Sequence, residues 1–212
     1  MIEIEIKCKP TSEEEAILLK DATFLSEEHL TDIYYDSSTY ELSVKDFWLR
    51  TRNDKFVLKT PASSIALLKT QANTPKHEIE DKQTIKKILN LANQHSLKEA
   101  LKIAGYNPLY KLTKTRKKYS KEGFIIDIDN ATFENYKFNL CEIETMVEAQ
   151  EEIEKATQDL VNFAKRNGIE IKPIPGNLIA LIKIVNPKHF AILEKAHTER
   201  IKNQTDNAKF NL

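Results

Sequence analysis

The sequence predicts a single α+β domain that is rich in antiparallel strands, with helices inserted among them. Several segments alternate between apolar and charged residues, which is the pattern of a strand with two different faces. Other segments carry apolar residues at helical spacing, next to helix-capping residues. Hydrophobic residues make up 41% and charged residues 30% of the 212-residue chain, so it can bury a core. No repeat or linker divides the chain, and we expect one domain over residues 1–200 followed by a polar tail over 201–212.

The residue pattern in the first half of the chain predicts mostly strands. Residues 2–8 form the first, because isoleucines alternate there with Glu3, Glu5 and Lys7. Thr11 precedes three glutamates and predicts a helix start, with a hydroxyl cap and acidic residues in the first turn. The next predicted elements are a strand over 30–36, a hairpin of 46–53 and 55–60 that turns at Asn53-Asp54, a loop over 62–74 and a strand over 76–80.

The second half mixes helices and longer strands. Helical spacing over residues 82–104 predicts two short helices, and Gly105 is placed to end the second. The remaining predicted elements are strands over 109–120, 124–131 and 137–147, a helix over 149–167 that ends at Asn167-Gly168, and two apolar helical segments over 177–185 and 188–196.

The bulk composition excludes several classes of protein. The 32 Lys and Arg residues balance 32 Asp and Glu residues, which excludes a globally basic binder, and no nucleic-acid partner is expected. The four glycines build neither a G-x-G-x-x-G motif nor a Walker A loop, so side chains must hold any bound phosphate. Two cysteines are too few for a disulfide framework, and the five histidines lack zinc-ligand spacing.

The N-terminus and the hydropathy predict the compartment. The chain begins without the apolar region of a signal peptide, and it has no apolar run of membrane-spanning length. These features predict a cytoplasmic protein without a membrane partner. We expect a monomer, with a dimer left open.

Charge signs are sorted by strand, and this pattern carries the functional information. Residues at i and i+2 share one face of a strand, and the pairs Arg50/Arg52, Asp127/Asp129 and Glu142/Glu144 each carry a single sign. An antiparallel sheet with its charges in water is the simpler interpretation of any one strand. If helices cover the outside of a closed sheet, however, the charged face becomes the interior. Such an interior would suit a polyphosphate with divalent metal ions.

The order of these motifs resembles a known superfamily. The E-x-E-x-K sequence at residues 3–7 is followed by the R-x-R at 50–52, then by Lys59, Arg116 and the two acidic pairs. This series resembles the CYTH superfamily of triphosphate tunnel metalloenzymes, and residues 32–59 look most like its thiamine triphosphatase branch. The resemblance implies a closed eight-stranded antiparallel β-barrel with helices packed outside, which would bind a small-molecule triphosphate in the tunnel.

The resemblance also implies a metal site that holds Mg²⁺, with Mn²⁺ as an alternative. Glu5, Glu142 and Glu144 are the favoured ligands. Asp127 and Asp129 match acidic positions of the family, but each could instead orient a neighbouring arginine. The full set of implied metal-side carboxylates is Glu3, Glu5, Glu78, Asp127, Asp129, Glu142 and Glu144.

The cations and aromatics receive the remaining implied roles. Lys59 is the candidate general base, with a pKa depressed by surrounding cations, and Tyr34 would pair with it or else pack in the core. Trp48, which shares a strand face with Arg50, would stack on a thiazolium ring, although a lone tryptophan can also be a core residue. Asn177 stands where the branch usually has a basic residue, and Lys172 or Lys183 could substitute for it. The implied triphosphate clamp is Lys7, Arg50, Arg52, Lys59 and Arg116.

These residues lead to one favoured function and several alternatives. The favoured function is metal-dependent hydrolysis of thiamine triphosphate to thiamine diphosphate and phosphate. The alternatives are an inorganic triphosphatase, a class IV adenylyl cyclase and a non-catalytic polyphosphate-binding module. A soluble α+β protein with merely solvated charges would have these same residues on its outer surface.

Overall fold

The computed structural model describes residues 1–62, 75–133, 135–172 and 174–210, with side chains through residue 202. The predicted loop at 62–74 therefore falls almost wholly outside the described residues. The strands are β1 (Ile2–Cys8), β2 (Thr23–Asp36), β3 (Trp48–Arg52), β4 (Lys55–Pro61), β5 (Lys76–Ile79), β6 (Asn107–Lys121), β7 (Phe124–Phe133) and β8 (Tyr136–Val147). The helices are α1 (Ser12–Leu19), α2 (Glu41–Val44), α3 (Lys82–Ile88), α4 (Leu97–Ile103), α5 (Ile153–Arg166), α6 (Asn177–Val185) and α7 (Pro187–Phe210).

The eight strands close into an antiparallel barrel in the order β1-β5-β4-β3-β2-β6-β7-β8. The last strand, β8, pairs with every residue of β1, from Ile2 opposite Val147 to Cys8 opposite Cys141. The barrel closes on the other side of β1, where Ile2 and Glu3 pair with His77 and Lys76 of β5. The predicted closed eight-stranded barrel with outer helices is confirmed.

The barrel is inverted relative to a solvated sheet: apolar side chains point out and charged side chains point in. The outward isoleucines of β1 are at most 2% exposed, and they pack in one cluster with Leu160 and Phe163 of α5. The inward Glu3 and Glu5 are also buried, at 6% and 9% exposure. The α5 helix covers the apolar face, so the charged face lines the interior.

Local signals in the sequence explain most element boundaries. Thr11 caps α1, and its side chain and the N3 residue Glu14 form a reciprocal capping box. The β3–β4 hairpin turns at Asn53 and Asp54, whose positive φ angles of 46° and 66° are typical of the tight turn that matches strand twist. Gly105 follows α4 with a φ of 82°, as predicted for a helix-ending glycine.

The structure differs from the predicted elements in three places. The β2 strand begins at Thr23, seven residues before the predicted start at Leu30, because it pairs along its length with the long β6. The short helix α2 follows β2 and was not predicted from the sequence. The α7 helix extends beyond the predicted 188–196 segment and continues through Phe210, into the expected polar tail. None of the described helices is long and apolar enough to cross a membrane.

A buried polar cluster fastens α7 to the barrel, and we call it the His189 cluster: Asp36, Ser43, Tyr110, Asn186 and His189. Asp36 accepts the Ser43 hydroxyl at 2.6 Å, so Ser43 Oγ in turn accepts His189 Nε2–H at 2.9 Å. His189 Nδ1 then accepts the Tyr110 hydroxyl at 2.8 Å, and Asn186 Nδ2 donates to Tyr110 Oη at 3.1 Å. This chain of hydrogen bonds holds the imidazole neutral, and burial lowers the pKa of His189 accordingly.

Candidate active site

The barrel contains a cavity of about 580 Å³, and each of the eight strands contributes at least one charged side chain to its lining. Its charged lining is balanced, with nine basic and nine acidic side chains among the described residues. The basic ones are Lys7, Arg50, Arg52, Lys59, Lys76, Lys114, Arg116, Lys118 and Arg200. The acidic ones are Glu3, Glu5, Asp32, Asp46, Glu78, Asp129, Glu142, Glu144 and Glu194.

Three carboxylates converge on one side of the cavity, and we call them the carboxylate group: Glu3, Glu5 and Glu144. Each offers an oxygen, and these oxygens lie within 4.8 Å of one another. The β1–β8 register places Glu5 directly opposite Glu144. Burial, together with the nearby charges of Asp127 and Glu3, raises the pKa of Glu144 to about 7. An oxygen-only donor set whose charges repel one another suits a hard divalent cation such as Mg²⁺ or Mn²⁺.

Arg116 is the most heavily paired cation of the cavity. Its Nε and Nη2 atoms bond the two oxygens of Asp129 at 2.6 and 2.7 Å, and Nη2 also reaches Glu142 at 2.5 Å. Its Nη1 donates to Asp127, which is fully buried. The pKa of Arg116 lies well above its usual value, because these carboxylates outweigh the effect of burial. Arg116 therefore sits between the β7 and β8 carboxylates.

Arg50 and Arg52 share the carboxylate of Asp32, which is 1% exposed. Arg52 makes a bidentate contact with it, at 2.8 and 2.9 Å, while Arg50 Nη1 lies 3.6 Å from its Oδ2. Arg50 also contacts Glu78 at 3.5 Å. The Nε–H of Arg50 is buried and has no hydrogen-bond partner in the described part of the chain. An unpaired buried donor on a cavity wall is suited to an incoming anion.

The structure corrects the expectation about the pKa of Lys59. Burial favours the neutral amine, but the carboxylates of Glu3 and Glu5 outweigh it, so the pKa of Lys59 is raised. The prediction that cations depress this pKa is wrong, because Glu3 binds the ammonium directly and Glu78 lies 3.9 Å away. Lys7 behaves alike: Glu5 and Glu142 raise its pKa against the effect of burial.

The predicted partner of Lys59 is also engaged elsewhere. Tyr34 Oη accepts a hydrogen bond from Arg50 at 3.3 Å, since Tyr34 and Arg50 are opposite each other in the β2–β3 register.

Glu142, a favoured metal ligand from the sequence, is instead ion-paired with Arg116 and with Lys7, which lies opposite it on β1. Its pKa is held well below the usual range, because Lys7 and Arg116 outweigh burial.

Two residues assigned to the site from the sequence do not line the cavity. Lys183 is exposed on α6, where its Nζ lies 5.3 Å from the ring centroid of Phe190. Asp127 points toward Arg116 and Lys118, which fits the alternative in which it orients an arginine. Asn177, in contrast, does line the cavity, and it is 9% exposed at the start of α6.

Several cavity residues were not predicted from the sequence, although the period-2 spacing of strand side chains indicates them. Lys114 and Lys118 lie at i−2 and i+2 from Arg116, so all three side chains share the inward face of β6. Lys114 pairs with Asp129, and burial together with Arg116 lowers its pKa to about 8. Asp32 lies on the inward face of β2 by the same alternation.

One part of the cavity wall is apolar rather than charged. Trp48 packs with Ile179 and Phe190 against the cluster formed by α6, α7 and β6. Leu193 belongs to that cluster and also lines the cavity. The cavity therefore offers a charged part and, beside it, an apolar part that includes the chain's single tryptophan.

Comparison with known proteins places this arrangement in a family. The model of the CYTH domain matches residues 1–172. The PH1819 protein from Pyrococcus horikoshii OT3 superposes with a TM-score of 0.61 at 25% identity, over 85% of this chain and 98% of that chain.

Two further structures share the fold at lower identity. A candidate adenylate cyclase from Vibrio parahaemolyticus has a TM-score of 0.55 at 14% identity, over 85% of this chain and 98% of its own. HpAC1 from Hippeastrum, a candidate adenylyl cyclase with a reported dominant triphosphatase activity, has a TM-score of 0.52 at 17% identity, over 88% of this chain and 97% of its own. A search of curated proteins found no match. On the family match and the closed barrel together, the chain belongs to the CYTH domain family.

Proposed function

We propose that this CYTH-family protein hydrolyses thiamine triphosphate to thiamine diphosphate and phosphate with the help of a divalent metal ion. The observation that carries the proposal is the cavity itself: a carboxylate group and an array of arginines and lysines line one enclosed space. A triphosphate with its metal ion needs both kinds of group within a few ångströms. The barrel interior supplies both from rigid strands.

Glu3, Glu5 and Glu144 are the residues that would hold the metal ion. Their oxygens lie close enough to share one cation, and the donor set contains only carboxylate oxygens. When bound, Mg²⁺ or Mn²⁺ would neutralise charge that develops on the phosphate oxygens. Lys59 is ion-paired with Glu3, and Lys7 with Glu5, so both ammonium groups lie next to the proposed metal site.

The cations would bind and orient the triphosphate. Arg50 has a buried Nε–H without a hydrogen-bond partner among the described residues, and Tyr34 Oη and Asp32 hold its guanidinium in place. Arg52 is fixed by a bidentate contact with the same Asp32. Arginines held in this way are suited to bidentate recognition of phosphate.

Lys59 is our proposed catalytic residue, and Tyr34, the other residue that the resemblance pointed to, is a positioning residue. With its pKa raised, Lys59 is an ammonium, so we assign it to hydrogen bonding with the developing negative charge rather than to proton abstraction. Tyr34 acts on the same phosphates by holding Arg50. In-line attack by water on the terminal phosphoryl group would then rest on positioning and charge stabilisation.

Trp48 supports an organic rather than an inorganic triphosphate. It lines the cavity two residues before Arg50 on β3, so both side chains share one strand face. Thiamine carries a cationic thiazolium ring, and an indole is the best aromatic face for a cation. A ring stacked on Trp48 would leave its phosphates near the Arg50 and Arg52 guanidinium groups.

The alternatives depend on other observations. The charged part of the cavity needs no organic group, which favours an inorganic triphosphatase as the second candidate. The activity reported for HpAC1 favours hydrolysis over cyclisation in a protein of this fold. Asn177 lines the cavity where the thiamine triphosphatase branch, which the sequence resembles, usually has a basic residue. This departure keeps a non-catalytic polyphosphate-binding module as a third candidate.

A phosphate-release panel tests the proposal. The substrates are thiamine triphosphate, tripolyphosphate, ATP and GTP, each with Mg²⁺ and with Mn²⁺. We expect the highest kcat/KM for thiamine triphosphate, and a loss of roughly 2- to 30-fold for that substrate alone in Trp48→Ala. A higher kcat/KM for tripolyphosphate, with no effect of Trp48→Ala on the preference, would establish the inorganic alternative. Cyclic AMP formation from ATP, or tight binding without phosphate release, would establish one of the other two.

A further inference from the structure

The corner between α2 and β3 holds a carboxylate that is not part of the phosphate or metal machinery. Asp46 occupies this corner with a φ of 61°, a left-handed conformation that Asp, Asn and Gly tolerate. Its side chain lines the cavity and is 19% exposed. Both of its oxygens are engaged, each by a different element of the fold.

One oxygen holds the tryptophan. The indole Nε1–H of Trp48 donates to Asp46 Oδ1 at 2.8 Å. Asp46 Oδ2 accepts from the ammonium of Lys76 on β5, whose side chain is 12% exposed. Lys76 also reaches the Asp46 carbonyl oxygen at 3.4 Å. The carboxylate therefore links the indole of Trp48 to Lys76 of β5 in the cavity wall.

The same corner is fixed from the helical side. The Arg200 guanidinium of α7 donates to the carbonyl oxygen of Val44, two residues before Asp46. Trp48, like Phe190 of α7, also packs against the apolar cluster that includes Leu193. A hydrogen bond at its N–H edge and apolar packing together restrict the rotation of the ring.

We infer that Asp46 is a positioning residue that sets the orientation of the Trp48 ring, and so the preference of the cavity for an organic over an inorganic triphosphate. The inference rests on the proposed function, in which Trp48 receives the organic group. A ring fixed before binding costs less ordering on stacking, and the gain falls only on substrates that have a group to stack. Loss of one net hydrogen bond corresponds to a roughly 3- to 10-fold change in binding.

The experiment compares two variants that remove different partners of this carboxylate. Asp46→Gly removes the acceptor without strain at positive φ, and Lys76→Met removes the other partner and leaves Asp46 free to hold the indole. Each is assayed for kcat and KM with thiamine triphosphate and with tripolyphosphate, and for affinity by titration calorimetry with the same two ligands. Because Trp48 is the single tryptophan, emission and acrylamide quenching report on this ring alone.

We expect Asp46→Gly to raise KM and Kd for thiamine triphosphate roughly 3- to 10-fold, to leave the tripolyphosphate values within twofold, and to increase quenching. Lys76→Met should change both ligands in the same proportion and leave the quenching unchanged. In a Trp48→Phe background, which lacks the indole N–H, Asp46→Gly should have no further effect on the preference.

Several outcomes would overturn the inference. They are an equal effect of Asp46→Gly on both ligands, unchanged quenching in that variant, or the same loss of preference in the Trp48→Phe background. Failure of the proposed function has a different signature, namely absence of phosphate release from both substrates by the wild-type protein. In that case the calorimetric comparison and the quenching still decide whether Asp46 positions Trp48 for an organic ligand.

Discussion

The cavity and the His189 cluster are both buried and polar, yet they are built on opposite principles. In the His189 cluster, neutral donors and acceptors lead to the single carboxylate of Asp36, and each hydrogen bond fixes the direction of the next. In the cavity, ionised groups crowd together, three carboxylates share one side and a buried arginine Nε–H lacks a partner among the described residues. A network of satisfied neutral hydrogen bonds stabilises the fold, whereas crowded ionised groups on a cavity wall are suited to bind a charged ligand.

The largest change in stability is expected at Arg116, which is both a cavity residue and part of a buried ion-pair network. This residue lines the cavity, but it also compensates the buried Asp127 and Asp129. Arg116→Met removes the guanidinium that both carboxylates share and leaves Asp129 with Lys114 and Asp127 with Lys118 as partners. We expect it to lower the free energy of unfolding by about 3–5 kcal/mol in urea denaturation. Arg166→Met is the matched control, because its ion pair with Glu122 is exposed, and it should change stability by less than about 1 kcal/mol. Equal effects of the two variants would show that the Arg116 network contributes no more than a surface pair.

Glu144 should separate function from stability. Unfolded, this carboxyl ionises near its ordinary pKa of 4.5, and folded it keeps its proton to about 7, so folding is penalised as pH rises through that window. Glu144→Gln should therefore raise the free energy of unfolding at pH 8 by on the order of 2 kcal/mol, with little change at pH 4.

Activity should move in the opposite direction in the same variant. Loss of a proposed metal ligand should lower metal-dependent phosphate release at least about 100-fold. Glu13→Gln, at an exposed position of α1, is the control and should change neither quantity. A Glu144→Gln protein that is both active and less stable would place Glu144 with the structural groups.

A substitution at His189 should lower stability and leave activity unchanged, whereas Glu144→Gln should raise stability and lower activity. His189→Phe removes the partner of two buried hydroxyls, and we expect a loss of about 2 kcal/mol in stability with phosphate release per folded molecule unchanged within twofold. The wild-type protein should also lose stability as pH falls below the ordinary histidine pKa of 6.5, because the unfolded state then binds a proton that the folded state resists. Thermal unfolding from pH 8 to pH 5 measures both effects, and a flat wild-type profile would contradict them.

The smallest effect concerns competition between metal and proton. Because Glu144 must be ionised to bind a cation and its pKa is about 7, Mn²⁺ affinity should rise with pH, by up to about tenfold per unit below pH 7. Calorimetric titrations at pH 6 and pH 8 measure this slope. Glu144→Gln should bind more weakly and with a flatter pH dependence, and an equally steep slope in that variant would assign the proton to another group.

Charge alternation along single strands predicted which side chains share a face, and the family resemblance predicted the closed barrel that turns the charged face inward. Glu3, Glu5, Arg50, Arg52 and Glu144 all line the cavity, as expected from period-2 spacing. Alternation is a local property, and the closed sheet converts it into a shared interior. In residues 113–118 the alternation identified the shared face but not every functional residue on it. Arg116 was the one predicted phosphate-binding residue there, although Lys114 and Lys118 lie on the same face of β6 and also line the cavity.

The remaining features depend on contacts between distant residues, which a strand pattern does not contain. The pKa of Lys59 is set by Glu3 on another strand, and the sequence offered only a list of cations to reason from. The role of Glu142 changed because the β1–β8 register places it opposite Lys7. The His189 cluster joins residues more than 70 positions apart, and no periodicity connects them.

The separation of the two faces of each strand has a consequence for how such a protein can diversify. Outward positions such as Ile4 and Ile6 carry the packing of α5, while the inward Glu5 on the same strand belongs to the cavity. Substitutions at residues without shared partners combine almost independently. Inward positions outside the Arg116 network can therefore accumulate changes in charge and size while the outward ones keep the scaffold intact. The barrel is thus a natural template for laboratory evolution, in which a library confined to inward positions would explore new ligands on an unchanged framework.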